Sequence, residues 1–391
     1  MSDFKFVKYV LLVFATLVVA IAAFNYVVDP FNFYKSGLVD IRKTQEVNQV
    51  RLSKAIYLKN IKPVSIILGS SRAEFGYDPE HRYFSQPAYN LATGGSSMYE
   101  LTKYLEFAIE QGRLKNVLLV ADYINFNSNQ QQKVADFNEY FGDKNLYSYL
   151  VSLNTLKNSV LTLYGDRQKK VTIYEKNGQR EKLHNSVNLR NFGGQLKKIY
   201  AQSTYFNGFD NNNHYRDTQK SSFDDFKKFL ELSYRNNIKL DIVFGPNHIL
   251  HWEALDHSIG MDKWYQWKKD VVTMTNEVAT TLGATSYKIY DFAIYNEFTS
   301  EELPKSKKDE MIFHWELNHY KSELGDMVLD TLMDWNDKLG VQLTASNADD
   351  HLKIQSELRE KYVDIRRYRD IVLKNRQKVD LNQFLTKNIY Q

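Results

Sequence analysis

The sequence predicts an α/β protein that follows one N-terminal membrane helix. Two observations support this fold class. Short apolar runs alternate with longer segments of helical periodicity, an order typical of a mainly parallel sheet covered by helices on both faces. Near the start, residues 9–28 form an uncharged apolar run. A helix of that length can cross the ~30 Å hydrocarbon core of a bilayer.

The composition fits a large globular body. The chain has 391 residues, of which 43% are hydrophobic and 14% aromatic, and only 6 prolines, which argues against a long disordered region. The net charge is +4 and the two signs are interleaved, so we expect no nucleic-acid partner. Cysteine is absent from the sequence, which excludes thiol catalysis, disulfides and thiolate metal sites.

The apolar run is interpreted as an uncleaved anchor. Lys5 and Lys8 precede it and Asp29 follows it. The positive-inside rule therefore puts residues 1–8 in the cytoplasm and the globular body on the outer side of the membrane. The alternative is a cleaved signal peptide, with a cleavage site at Ala20-Ile21-Ala22. The run continues beyond that site for longer than the apolar part of a usual signal, which favours the anchor.

The periodicity also divides the chain. A juxtamembrane segment at 29–60 leads to the predicted body at 61–345, and a charged helical extension follows at 346–391. Strands are predicted at 64–68, 117–121, 240–244 and 288–292, and helices at 40–60, 99–111, 223–234, 262–282 and 350–377. Residues 127–220 are rich in Asn, Gln, Lys and Tyr and break this alternation, so we expect an insertion or lid there.

Three motifs carry the candidate chemistry. Gly69-Ser70-Ser71-Arg72 ends the first strand, where active sites of parallel sheets gather, although Gly-Ser-Ser is also ordinary turn and N-cap chemistry. The small-residue loop at 90–97 precedes a helix, which Ser96 or Ser97 would cap. Near the end of the body, Glu316 stands three residues before His319. That spacing lets the acid orient the imidazole toward a serine, but it is also common on helix surfaces.

Two further residues are candidates for substrate contact. Arg72 would bind an anionic or sugar substrate, or pair with a neighbouring carboxylate. His248 follows the strand end Gly245-Pro246-Asn247 and is expected to line the same cleft. The spacing of His248, His251 and His257 forms no recognisable ligand set, so we expect no metal.

Taken together, a strand followed by Gly-x-Ser, then Asn-x4-Gly, then an acidic residue-x-x-His resembles the SGNH (GDSL-like) hydrolase superfamily. The chain is similar, more narrowly, to membrane-anchored SGNH-like proteins that work beside membrane-bound O-acyltransferases in bacterial envelope modification. The segments that carry this likeness are Asp29-Pro30-Phe31, Gly245-Pro246-Asn247-His248, Asp291-Phe292-Ala293 and Trp315-Glu316-Leu317-Asn318-His319-Tyr320 with Leu324-Gly325.

The resemblance implies a three-layer SGNH-like fold, no cofactor, and a serine esterase or O-acetyltransferase. The substrate would be an acyl donor or an acylated envelope polysaccharide, and the partner a membrane-bound O-acyltransferase at the inner membrane. Ser71 would be the nucleophile, His319 the general base and Glu316 its orienting acid. Gly95 would donate its amide to the oxyanion, alongside the amide of Ser71.

The chain departs from the superfamily pattern at two places. Its acid is Glu316 where the superfamily usually has Asp. The third-block Gly-x-Asn-Asp is missing, and Asp122 occupies that loop, so Asn125 would supply the oxyanion amide from a shifted position. Because loss of one oxyanion donor costs ~100- to 1000-fold in rate, a second hypothesis stays open. It is a weak or inactive accessory subunit that binds polysaccharide or the acyltransferase partner.

Overall fold

The computed structural model describes residues 3–127, 129–134, 137–141, 146–210, 212–335 and 338–375. The chain divides into two units. One comprises residues 1–57 and 136–175, and the other comprises residues 58–135 and 176–391. The predicted insertion at 127–220 is therefore shared between the two units, and its central part belongs with the N-terminal segment.

The second unit is built on one six-stranded sheet. Its strand order is β2-β1-β3-β4-β5-β6, and all neighbours are parallel except β5 and β6. The strands are β1 (Ser65–Gly69), β2 (Ala88–Asn90), β3 (Asn116–Val120), β4 (Lys239–Phe244), β5 (Lys288–Asp291) and β6 (Val341–Leu343). The mixed α/β class with a mostly parallel sheet is thus confirmed. Strands β2 and β6 were not predicted, because each is only three residues long and shows no periodicity.

The helices are α1 (Asp3–Val28), α2 (Val50–Ile61), α3 (Ser71–Gly76), α4 (Met98–Glu110), α5 (Tyr123–Phe126), α6 (Tyr147–Leu150), α7 (Leu153–Arg167), α8 (Lys182–Phe192), α9 (Gln195–Ala201), α10 (Ser222–Arg235), α11 (Ile249–Ile259), α12 (Met261–Thr281), α13 (Ser322–Met333), α14 (Ala348–Lys361) and α15 (Val363–Asn375). Short 3₁₀ helices lie at 46–49, 137–141 and 202–207. Of the described helices, α1 is long and apolar enough to cross a membrane, as judged by its length and composition.

Both faces of the sheet are covered. All five residues of β1 are buried, and neighbouring side chains on a strand point to opposite faces. On one face, residues of β1, β3, β4 and β5 pack with residues of α3 and α13 in a single apolar cluster. This packing fixes the carboxyl ends of the strands, where β1 passes into α3.

The prediction of one continuous C-terminal helix at 350–377 is wrong. Two helices, α14 and α15, meet at Tyr362, and residues 376–377 lie outside the described part of the chain. Arg359 on α14 and Arg369 on α15 both contact the buried carboxylate of Glu253. The break allows both arginines to reach this one carboxylate.

Candidate active site

Ser71 lies at the junction between β1 and α3. The chain passes close to its neighbours at Gly69, where a Cβ would come within 2.8 Å of the Ala73 Cβ and 2.9 Å of the Val120 carbonyl oxygen. Because glycine has no Cβ, β1 can turn into α3 at this point. The side chain of Ser70 caps α3 by accepting a hydrogen bond from the Arg72 amide at 3.2 Å. Ser71 is then the first residue of the helix and is half-buried. This geometry presents its hydroxyl at the carboxyl edge of the sheet.

The structure brings Ser71, His319 and Glu316 together. Ser71 Oγ lies 2.7 Å from His319 Nε2, and His319 Nδ1 is hydrogen-bonded to Glu316 Oε1. A carboxylate accepts the proton on Nδ1, which leaves the lone pair of Nε2 to accept from the serine hydroxyl. The His319 side chain is 14% exposed, so a reactant can reach the pair from solvent. This is the arrangement of nucleophile, base and orienting acid that acyl transfer uses.

Glu316 is held in its charged form. Burial alone would raise the pKa of this carboxyl, but the pKa lies below its ordinary value because His319, Lys198 and the Asn318 amide stabilise the anion. The Asn318 amide donates to Glu316 Oε2 at 2.8 Å. Burial lowers the pKa of Lys198, and the charge of Glu316 offsets part of that shift. An ionised Glu316 would stabilise a positive charge on the His319 imidazole.

The loop that carries Glu316 and His319 is a tight turn. The Trp315 amide donates to the His319 carbonyl at 2.8 Å, and the flanking residues His314 and Tyr320 form an antiparallel bridge. The ring of Phe75, on α3, stacks on the His319 imidazole with centroids 4.4 Å apart. The turn fixes the backbone and Phe75 fixes the plane of the ring, so the imidazole has one orientation toward Ser71.

A second histidine–glutamate pair, His314 and Glu301, holds the start of this turn. His314 Nδ1 lies 2.6 Å from Glu301 Oε1, and its Nε2 lies 3.0 Å from the Pro246 carbonyl oxygen. Both ring nitrogens face acceptors, and the imidazole is fully buried. Glu301 also accepts from the Ile312 and Phe313 amides. The sequence analysis missed this pair because the two residues are separated along the chain and follow no motif.

Gly95 and Asn125, the two residues predicted to bind the oxyanion, have different surroundings in the structure. A Cβ on Gly94 would lie 3.9 Å from the Ser71 Cβ, whereas at Gly95, where φ is +64°, the nearest atoms belong to Gln130. Of these two glycines, Gly94 is therefore the one whose Cβ position contacts Ser71. Asn125 is fully buried. Its side-chain amide donates to the Ser96 carbonyl at 2.7 Å, and its side-chain oxygen accepts from the Asp122 amide at 2.9 Å. These bonds hold Asn125 to the neighbouring loops, and its oxyanion role stays a prediction.

Arg72 points into the protein. It is 3% exposed and donates to the Asn318 carbonyl at 3.2 Å and to His251 Nε2 at 2.8 Å. A further donor of the guanidinium bonds the Asn318 side-chain oxygen, and Nη1 lies 3.3 Å from Asp122 Oδ1. These contacts correct the expectation of substrate binding, because they occupy the guanidinium within the fold. Arg72 instead joins the start of α3 to the turn that carries His319.

His248 is also placed differently from the prediction. The ring is fully buried and caps α11, since Nδ1 accepts from the Leu250 amide at 3.1 Å. Its Nε2 donates to the Glu301 carbonyl at 2.9 Å. Burial, and then the nearby His314, lower its pKa to about 4. His248 is thus a neutral capping residue, and the cleft contact expected of it is not seen.

Among the described residues, no group of three or more His, Asp or Glu side chains is arranged to hold a metal ion.

A scan of the chain against protein-family models found no match, and a search of curated proteins found no match either. Function therefore has to be argued from the site itself, because a fold alone does not fix it.

Proposed function

We propose that this protein is a membrane-anchored serine esterase or O-acyltransferase of the SGNH-like class, with the three-layer arrangement of that class. The observation that carries the proposal is the Ser71 Oγ to His319 Nε2 distance of 2.7 Å, with Glu316 on the far nitrogen. A Glu-x-x-His pair that served only as a helix-surface pair would not be expected to contact a serine 248 residues away in the chain. Convergence of the two motifs at a sheet edge supports catalysis.

The chemistry follows from the roles of the three side chains. Ser71 Oγ attacks the carbonyl carbon of an acyl ester while His319 Nε2 takes the hydroxyl proton. The carbon–oxygen bond to the donor alcohol breaks, and that alcohol leaves with the proton from His319. Water or a sugar hydroxyl then gives its proton to His319 and takes the acyl group from Ser71, and the Ser71 oxygen recovers that proton from His319 as its bond to the acyl carbon breaks. Glu316 stays ionised and stabilises the imidazolium in both halves of the reaction.

The proposed setting is the outer side of the cytoplasmic membrane. Lys5 and Lys8 before the apolar stretch of α1 favour a cytoplasmic N-terminus. The substrate would then be an acyl group, acetyl in the simplest case, on a cell-envelope polysaccharide. A membrane-bound O-acyltransferase would supply acyl groups from the cytoplasmic side as the partner. The likeness of the sequence motifs to SGNH-like envelope proteins supports this assignment.

The second candidate function is an accessory subunit with little or no catalysis. The observation that favours it is that the side-chain amide of Asn125 already donates to the Ser96 carbonyl. The oxyanion would then depend on backbone amides near Ser71 and Gly94. A site with one donor fewer is ~100- to 1000-fold slower. Such a protein would keep the fold to bind polysaccharide or the acyltransferase partner.

The test uses the full-length protein in detergent micelles, with p-nitrophenyl acetate as substrate. Ser71→Ala and His319→Ala should each abolish turnover, and mass spectrometry of the wild type should find acetyl on Ser71. Ser85→Ala, at an exposed serine, is the matched control, because it removes a hydroxyl and leaves Ser71 and the cap of α3 unchanged. If wild type and both site variants share one background rate, the esterase proposal fails and the accessory role is favoured.

A further inference from the structure

Helix α7, in the first unit, has its polar side buried and its apolar side exposed. Its buried residues are Thr155, Asn158, Ser159, Thr162 and Gly165. Its large apolar residues that are 39% to 71% exposed are Leu153, Val160, Leu161, Leu163 and Tyr164. An amphipathic helix on a water-soluble domain has the opposite arrangement, with apolar residues facing the core.

The buried side of α7 packs against the C-terminal part of α1. Ser159 Oγ donates to Asn25 Oδ1 at 2.8 Å, and Asn25 Nδ2 donates to the carbonyl oxygens of Leu150 at 2.7 Å and Ser152 at 3.4 Å. Asn25 is fully buried although it belongs to an apolar helix that is otherwise mostly exposed. Small and hydrogen-bonded polar residues between two helices are typical of contacts inside membranes.

The same side of α7 also bonds the segment after α1. Asn48 Nδ2 donates to Asn158 Oδ1 at 2.9 Å, and Arg42 Nε donates to Asp166 Oδ1 at 2.9 Å. Gly165 lies so close to Thr44 that a Cβ would come within 2.6 Å of its hydroxyl oxygen. The polar side of the helix is therefore occupied by its own chain. The apolar side faces outward.

We propose that α7 is a second membrane contact, which lies in the bilayer interface beside the end of α1 with its apolar side against lipid acyl chains. Asn25 precedes Val28, the last residue of α1, by about 4–5 Å at 1.5 Å per residue. Contact at that level puts α7 where the hydrocarbon core meets the headgroups. At 15 residues, α7 is too short to span the core and long enough to lie along its edge.

The charges on α7 identify the lipid class. Lys157 and Arg167 are exposed on the same side as the apolar residues, and Lys169 and Lys170 follow, also exposed. Long cationic side chains beside an apolar surface extend their charged ends to the headgroup level. Together they favour anionic phospholipid over a zwitterionic surface.

A membrane protein is the other occupant to be considered. Helix contacts between membrane proteins use small residues that allow close approach. On α7 the small residues, Ser159, Thr162 and Gly165 among them, all lie on the side that contacts α1. The outward side carries Leu153, Val160 and other large residues instead, which fits acyl chains better than a second helix.

The test exploits the absence of cysteine from the chain. Full-length Leu153→Cys and Val160→Cys variants receive a spin label and are placed in bilayer discs of equimolar phosphatidylcholine and phosphatidylglycerol. The accessibility of each label is measured to oxygen, which concentrates in hydrocarbon, and to a water-soluble nickel chelate. Leu11→Cys on α1 is the lipid reference, and Lys227→Cys on α10 is the reference for a water-exposed site.

Labels at 153 and 160 should have an oxygen-to-nickel ratio above one, as at position 11, while the ratio at 227 stays below one. A ratio below one at both α7 positions would overturn the proposal, because the helix then lies in water. Low accessibility to both reagents would overturn it in favour of a protein partner. In discs of phosphatidylcholine alone the ratio at 160 should fall, and an unchanged ratio would overturn the preference for anionic lipid.

Discussion

Arg72 and Asp122 form a buried ion pair behind the candidate nucleophile. Arg72 Nη1 lies 3.3 Å from Asp122 Oδ1, and the two side chains are 4% and 6% exposed. Asp122 also accepts a hydrogen bond from the Ser70 hydroxyl. The carboxylate of Asp122, in the loop after β3, is therefore paired with a cation. Its charge opposes an oxyanion at Ser71 far less than the sequence alone suggests.

Removal of Arg72 should destabilise the fold through Asp122. Arg72→Met leaves a buried carboxylate without its cation, and a broken buried pair typically costs about 3–5 kcal/mol. The double variant Arg72→Met/Asp122→Asn should recover part of that loss, since no buried charge is left unpaired. Urea unfolding followed by tryptophan fluorescence measures both free energies. Equal stability of the single and double variants would show that the pair carries no such coupling.

Glu316→Gln should impair catalysis without a large change in fold. The glutamine amide donates to Nδ1 and favours the tautomer with its proton on Nε2, which cannot accept from Ser71. A wrong tautomer in a serine triad lowers kcat by up to ~10⁴-fold. The measurement is p-nitrophenyl acetate turnover, with Glu323→Gln as the control at a carboxylate whose side chain is 55% exposed. Equal rates for the two variants would exclude Glu316 as the orienting acid.

The pH dependence of stability should show the burial of His248. Its pKa is lowered to about 4 from an ordinary 6.5. Between these two pH values the ring is protonated in the unfolded chain and neutral in the folded chain. This contribution is fully present above pH 6.5 and is lost as the pH falls from 6.5 to about 4. The shift corresponds to about 3 kcal/mol. Urea unfolding at a series of pH values measures it.

His248→Asn tests whether His248 causes this loss of stability at low pH. Asparagine also caps a helix but does not titrate, so the loss between pH 6.5 and 4 should shrink by about 3 kcal/mol. His214→Asn, at an exposed histidine, is the matched control for the same histidine-to-asparagine change. A slope that His248→Asn does not change would mean that this ring already titrates normally in the folded chain.

The local parts of this site could be predicted from the sequence. Ser71 ends an apolar strand and Glu316 stands three residues before His319, so each motif shows within a few residues. The contact between Arg72 and Asn318 joins positions 246 residues apart, which no local pattern encodes. His248 was misinterpreted because a histidine after a strand end looks the same in sequence whether it caps a helix or lines a cleft.

In the first unit, the apolar helix α1 was predicted, but its contact with α7 was not. Leu153, Val160 and Leu163 on α7 follow an ordinary helical spacing, and the sequence does not say which side of the helix is buried. Asn25 lies within the apolar run, and in the structure it is the hydrogen-bonding partner of Ser159. Which face is inside depends on tertiary contact between segments more than a hundred residues apart.

Gly94 and Gly95 should respond differently to alanine, and the difference tests which of them borders the reacting groups. At Gly95, φ is +64°, a conformation that costs an L-residue about 1–2 kcal/mol, so Gly95→Ala should lower stability. At Gly94 the added methyl meets only the Ser71 Cβ, at an ordinary contact distance of 3.9 Å. Gly94→Ala should therefore fold normally yet narrow the space beside the nucleophile.

The expected result for Gly94→Ala is a lower kcat/KM for p-nitrophenyl acetate at an unchanged unfolding midpoint. Gly95→Ala should show a lower midpoint and a smaller kinetic effect. Turnover and urea unfolding of both variants, beside Gly112→Ala as a control glycine that also has a positive φ and open space around it, separate strain from crowding. Wild-type kinetics in Gly94→Ala would place the acyl group on another side of Ser71, away from this loop.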